Sequence, residues 1–167
     1  MVGKVSHDTP LFEVTLRKYE RPYDLGKRDI VRRVCLSLGL LSPGESRDAI
    51  VDMLYVLLEM RKRRQLLTAE GLARRTLGLR KKFKKPGIGV ATSNIRRQLA
   101  RLKELLIVEK IDTGYRITEW MSLEELYQSR IEAYLLEETR ERIRAYLELC
   151  DEKFPVKKPL TARKGKK

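Results

Sequence analysis

A chain of 167 residues with a formal net charge of +14 and 42% hydrophobic residues can build one medium domain, or a small domain with an extension. Separate catalytic and binding domains would not fit. The only histidine is His7 and the only cysteines are Cys35 and Cys150. That leaves no zinc ligand set and no histidine-based acid/base pair, so neither an enzyme nor a metal or other cofactor is expected.

No apolar run approaches the length needed to cross a bilayer, and the opening MVGKVSHDTP lacks the apolar stretch of a signal peptide. A soluble, cytoplasmic protein with no membrane partner is expected. Cys35 and Cys150 lie far apart in apolar helical patterns, which favours buried thiols over a disulfide. The composition leans to Arg, Lys and Glu, with one Asn and three Gln, the thermophile habit of avoiding amides that deamidate.

In chain order, residues 1–10 read as a disordered leader. Leu11 to Tyr19 alternates Phe12, Val14 and Leu16 with Glu13, Thr15 and Arg17, the pattern of a half-buried strand or extended arm. Lys27 to Leu38 reads as a helix, with Asp24 as a possible cap. Ile30, Val31, Val34, Cys35 and Leu38 point inward, Arg28, Arg32 and Arg33 outward, and Gly39 ends it. Ser42-Pro43-Gly44-Glu45 has the spacing of a capping box and predicts a second helix running to about Gln65. Its buried stripe is Ile50, Met53, Leu54, Leu57 and Leu58. Arg61 to Arg64 close it, stabilising the helix end or contacting phosphate.

Thr68 and Gly71 open a third helix with Leu72, Ala73, Leu77 and Leu79 inward and Arg74 and Arg75 outward. The loop that follows sets Arg80, Lys81, Lys82, Lys84 and Lys85 around Phe83, and Pro86-Gly87-Ile88-Gly89 turns the chain. Phe83 is either an anchor into the domain or a base-stacking group, and anchoring is favoured. The glycines lack the spacing of a phosphate-binding P-loop.

From Ala91 the apolar residues Ile95, Leu99, Leu102 and Leu106 line one face of a fourth helix. Its opposite face carries Ser93, Arg97, Ala100 and Arg101, with Asn94 and Arg96 on the shoulders. Asn94 either reads a base edge or helps cap the helix. Next, Ile107 to Ile111 and Tyr115 to Thr118 alternate around Asp112-Thr113-Gly114, the signature of a hairpin.

These stretches, TAEGLARRTLGL (68–79), SNIRRQLARLKELLIVEK (93–110) and GYRIT (114–118), resemble the winged helix-turn-helix transcription regulators of archaeal type. One departure is the eleven-residue RKKFKKPGIGV (80–90), which replaces the family's compact turn. The resemblance implies a mainly α fold with a β-hairpin wing over residues 11–120, binding double-stranded DNA. Ser93, Asn94, Arg96, Arg97 and Arg101 would read bases. Arg74, Arg75, Arg80, Lys81, Lys82, Lys84, Lys85, Lys110 and Arg116 would meet the backbone, with Arg116 at the wing tip. The alternatives are an RNA-binding or ribosome-associated protein of the same fold, or an adaptor that binds an acidic protein.

Charge supports a polyanion. Residues 61–110 hold sixteen basic and three acidic side chains, a surplus of +13, whereas residues 1–60 balance at nine of each. A one-sign block is what phosphate binding needs.

Ser122 to Glu125 forms another capping box, opening a carboxy-terminal helix over 121–154. Its apolar residues Leu123, Leu126, Tyr127, Ile131, Tyr134 and Leu135 are followed by charged residues, then by Ile143, Tyr146, Leu147, Cys150 and Phe154. A helix of this length, about 48 Å, exceeds what so small a domain covers. A homodimer through Ile143, Tyr146, Leu147 and Phe154 is expected, the alternative being a break near Glu141 and a fold-back onto the amino-terminal helices. The tail, 155–167, is basic and too poor in apolar residues to fold.

Overall fold

The computed structural model describes residues 25–155. The expected leader with His7, the Leu11–Tyr19 strand, the Asp24 cap and the tail from residue 156 lie outside them. Within them the protein is mainly helical. The order is α1 (Lys27–Ser37), α2 (Ala49–Lys62), α3 (Ala69–Lys82), α4 (Thr92–Glu104), the hairpin β1 (Val108–Ile111) and β2 (Gly114–Ile117), then α5 (Leu123–Leu126), a π-helical stretch (Tyr127–Leu136) and α6 (Glu137–Lys153).

Helix α2 is the hub. Ala49, Ile50, Val51, Met53, Leu54, Val56, Leu57 and Met60 are all buried, so the helix is apolar around most of its circumference and is covered on several sides. It packs on α1, α3, α4 and β2. One contiguous core runs from Val31 and Cys35 of α1 through α2 to Leu72, Ile95, Leu99, Leu102, Ile107 and Ile117, and on to Leu126 and Ile131. Each of these larger side chains, fully buried, is worth about 1.5–3 kcal/mol relative to exposure.

A charged cluster sits inside this apolar framework. Arg28 Nε and Nη2 donate to Asp52 at 2.7 and 3.0 Å, and Nη2 also donates to Asp48 at 2.7 Å. Arg80 Nη1 donates to Asp52 at 2.5 Å and to Asp48 at 3.0 Å. These two cations and two anions are all buried, and Arg32 Nη1 reaches Asp48 at 3.4 Å from the partly exposed rim. Asp48 and Asp52 are one helical turn apart, so a single face of α2 draws in an arginine from α1 and another from the end of α3. Phe83 closes the site, its ring 5.9 Å from the Arg28 guanidinium and edge-on to Tyr55 at 6.1 Å. The anchoring role expected for Phe83 is the one it has.

This cluster corrects two expectations. Arg28, expected outside, is buried, and Ile30, expected inside, is 47% exposed. Arg80, expected on the DNA backbone, is 1% exposed. Three further differences have local causes. Ser42 to Glu45 closes a turn, with Ser42 N donating to the Glu45 carboxylate at 3.1 Å, because Gly44 takes φ +74°; α2 begins only at Ala49. Leu106 lies past the end of α4 with φ +57° and is 38% exposed, so it leaves the α4 stripe. Cys35 is buried as expected, but Cys150 is exposed.

The hairpin pairs Val108 with Ile117 and Glu109 with Arg116, and turns at Asp112-Thr113. Leu67 pairs with Tyr115 by two backbone bonds of 3.1 and 2.8 Å, tying the hairpin to the α2–α3 connection. A Cβ on Gly114 would meet Leu66 Cβ at 2.9 Å, so only glycine permits this approach. The Ser122–Glu125 capping box forms as expected. Beyond it the chain stays helical to Lys153. The fold-back near Glu141 does not occur.

Removing one member of the buried cluster strands the others. Asp52→Ala is expected to cost about 3–5 kcal/mol in urea unfolding. Burial alone would raise the Asp48 pKa, but hydrogen bonds from Arg28 and Arg80, with their charge, outweigh it and hold the carboxyl below its usual range. A depressed folded pKa gives stability that is complete above the unfolded value of about 4 and is lost as pH falls through the folded value. The urea midpoint should therefore decline below about pH 4; a flat profile there would contradict the assignment.

Candidate nucleic-acid interface

The long connection between α3 and α4 is held at both ends. Arg80 Nε donates to the Pro86 carbonyl at 2.7 Å, so the buried cluster that fixes Arg80 also fixes the turn of the loop. Asn94 Nδ2 donates to the Gly89 carbonyl at 2.5 Å. Gly89 has φ +81°, and a Cβ there would lie 3.1 Å from Ala49 Cβ. The loop thus folds back between the end of α3 and the start of α4. Its cations, Lys81, Lys82, Lys84 and Lys85, remain exposed.

On α4 the expected base-reading residues divide. Ser93, Arg96 and Arg97 are exposed. Arg97 donates to Asn94 Oδ1 at 2.7 Å and Arg96 pairs with Glu70 of α3 at 2.6 Å. Both pairs are solvent-exposed and are worth little to the fold, so either arginine can exchange its partner for another anion. Asn94 and Arg101 have inward tasks. Both ends of the Asn94 amide are used, one on Gly89 and one on Arg97. It does not act as the N-cap, which is Ala91 with no side-chain cap. Arg101 is half-buried and donates to Gln98 at 3.0 Å and to the Gly39 carbonyl at 3.1 Å, joining α4 to the end of α1. In this arrangement Asn94 and Arg101 act as positioning groups.

The expected backbone residues divide too. Arg74 is exposed on α3. Arg75 and Lys82 line a shallow cleft of about 430 Å³ between α2 and α3, together with Lys27, Arg63, Tyr55, Met60 and Leu79. They lie roughly 120–140° around α3 from Glu70, the residue that meets α4. Arg63 belongs to the Arg61 to Arg64 run expected at the helix end or on phosphate, whereas Lys27 was not singled out from the sequence. Arg61 donates to the Met121 carbonyl at 3.0 Å and Lys62 pairs with Glu59 at 3.1 Å, so half of the Arg61 to Arg64 run is used at the helix end. Lys110 is exposed on the hairpin, but Arg116 is not at its tip. It pairs with Glu109 across the strands at 2.6 Å and lies 5.0 Å from the Trp120 ring. The tip is Asp112-Thr113.

The start of α4 has no acidic residue in its first turn, and the first amides of a helix have no intrahelical acceptor. With Ser93 and Arg97 exposed on its first turns, and the exposed Lys81, Lys84 and Lys85 in the chain that leads into it, this end of α4 offers groups suited to phosphate oxygens. Among the described residues no helix is long and apolar enough to cross a membrane, and no group of three His, Cys, Asp or Glu gathers as a metal site requires. Compared with protein-family models, curated proteins and solved structures, the chain matches none.

Because the Asn94–Gly89 bond is what pins the loop to α4, Asn94→Ala should free the loop and leave the helices intact. A lost neutral hydrogen bond of about 0.5–1.5 kcal/mol corresponds to up to roughly tenfold more local opening. Amide exchange over residues 86–91 should accelerate accordingly, with unchanged helical circular dichroism. Unchanged exchange would mean that Arg80 holds the loop alone.

Proposed function

We propose that the chain is a winged helix-turn-helix protein that binds double-stranded DNA and regulates transcription, with α3 and α4 as the helix-turn-helix pair and the hairpin as the wing. The observation that carries this reading is the segregation of charge around α4. Arg80 and Arg101 are turned inward onto protein acceptors. Lys81, Lys84 and Lys85 face solvent in the chain leading into α4, and Arg96 and Arg97 face solvent on α4 itself, whose first turn bears no carboxylate. In the proposed complex the amino-terminal half of α4 enters the major groove. Ser93, Arg96 and Arg97 reach base edges, and Lys81, Lys84, Lys85 and Lys110 contact phosphates.

The α3–α4 connection, nine residues (83–91) because α3 runs on to Lys82, is compatible with this reading, because Arg80 and Asn94 hold it at fixed points and it carries Lys84 and Lys85. The contribution assigned to the wing is smaller. Its tip carries Asp112, its arginine is engaged with Glu109, and Lys110 is the cation it offers.

Duplex DNA is favoured over single-stranded RNA by the placement of aromatic rings. Sequence-specific RNA readers stack unpaired bases on exposed aromatics. Here the most exposed rings, Tyr134, Tyr146 and Phe154, lie in the acidic carboxy-terminal segment, and the one described ring exposed among the lysines is Phe83, at 36%. Phe83 packs against Tyr55, and Trp120 lies against Arg116.

Each phosphate neutralised contributes about −0.9 to the slope of log affinity against log salt, so a slope of about −3 or steeper is expected for a duplex. Arg97→Ala should cost about 1–3 kcal/mol on a preferred site and less on other sequences, whereas Lys84→Ala should weaken all sequences alike. Arg97→Ala losses equal on every sequence would reduce that residue to a phosphate contact. An RNA hairpin bound more tightly than the duplex would overturn the proposal in favour of its RNA alternative.

A further inference from the structure

From Arg140 onward every described residue of the carboxy-terminal helix is exposed, its apolar residues included. Leu136, Arg140, Ile143, Leu147, Cys150 and Phe154 recur at steps of four and three residues, the heptad spacing of a helix–helix seam. Ile143 is 55%, Leu147 60% and Phe154 78% exposed, and Tyr146 at 68% lies beside them. Leu136 is already partly buried against the domain core, whereas from Arg140 onward no other element of the described chain covers this face.

We propose that the seam is covered by the α6 of a second copy, running antiparallel. One register, centred on Ala145, uses all six positions. It sets Leu136 opposite Phe154, Arg140 opposite Cys150, and Ile143 opposite Leu147, then repeats these layers in reverse. The charges select this direction. A parallel pair would bring Arg140 against its own copy within the seam, two like charges in a place that excludes water. The antiparallel pair sets Arg140 one residue from Asp151 of the second copy. Arg140 already pairs with Glu137 in its own helix, so it bridges carboxylates from both. At the centre the two Arg144 side chains approach each other, each with Glu148 one turn away on its own helix.

The seam spans somewhat under three heptads, the scale of a weak, reversible contact rather than an obligate dimer. A monomer–dimer equilibrium with a dissociation constant on the order of micromolar follows. The arrangement is independent of DNA binding, so failure of either proposal leaves the other standing.

The test uses the full chain. Sedimentation equilibrium across a concentration series should show a monomer–dimer transition. Ile143→Asp combined with Leu147→Asp should weaken it by at least about tenfold, with helical content retained because both sites are solvent-exposed. Thiol oxidation reads the direction. In the antiparallel pair Cys150 of one copy is far from Cys150 of the other, so the natural chain should not form a disulfide dimer. Arg140→Cys should form one, with peptides linked between positions 140 and 150. A Cys150–Cys150 disulfide in the natural chain would overturn the antiparallel assignment. A monomer at every concentration, or a dimer indifferent to the Ile143/Leu147 variant, would overturn the seam itself.

Discussion

The buried cluster of Arg28, Asp48, Asp52 and Arg80 is the constraint on which the rest of the arrangement depends. Four charges inside an apolar core are tolerable only if every one is matched, since an isolated ion loses several kcal/mol of hydration there. The geometry satisfies this with five contacts of 2.5 to 3.0 Å. An apolar contact between helices admits some sliding, whereas these directional bonds fix both distance and angle. Helices α1 and α3 are thereby set on α2. Through the Pro86 carbonyl, the same Arg80 sets the loop leading into α4.

The charge distribution follows from that choice. Of the basic residues in the strongly positive block, Arg80 and Arg101 are drawn inward by carboxylates or carbonyls, and beyond the block Arg116 is held by Glu109. What remains on the surface around α4 is the set without buried partners. A protein that seats some of its arginines inside thus leaves a mainly basic surface around α4, with Glu70 as the carboxylate that Arg96 meets there. The cleft beside Arg75, Lys82, Arg63 and Lys27 shows that this patch is not the whole surplus. Part of the +13 lies on the other flank of α3.

Much of the fold was legible because local chemistry and tertiary packing agree. Thr68 caps α3 through Gly71 as the sequence implied. Ile95, Leu99 and Leu102 are buried, and the hairpin turns at Asp112-Thr113. The misplaced arginines share an origin. Helical periodicity sent Arg28 outward, and Arg80 was read as a loop cation for the DNA backbone, because arginine is rarely buried without a partner. The signal that could have found them was Asp48 and Asp52, one turn apart at the start of an otherwise apolar helix and in need of cations. Asn94 and Arg101 were legible as residues on the solvent side of α4. Their bonds to Gly89 and Gly39 depend on loops whose paths no local pattern specifies. The exposed thiol of Cys150 follows from α6 standing free of the domain, a tertiary fact invisible to a periodic count.

The central claim is that the end of the molecule built by the loop and the start of α4 meets duplex DNA. Amide exchange of the full chain, with and without a short duplex at low salt, tests it most directly. Protection concentrated in residues 81–97, with a smaller effect around Lys110 and none in α6, is the predicted result. Protection confined to the α2–α3 flank or to α6, or no protection at saturating duplex, would contradict it.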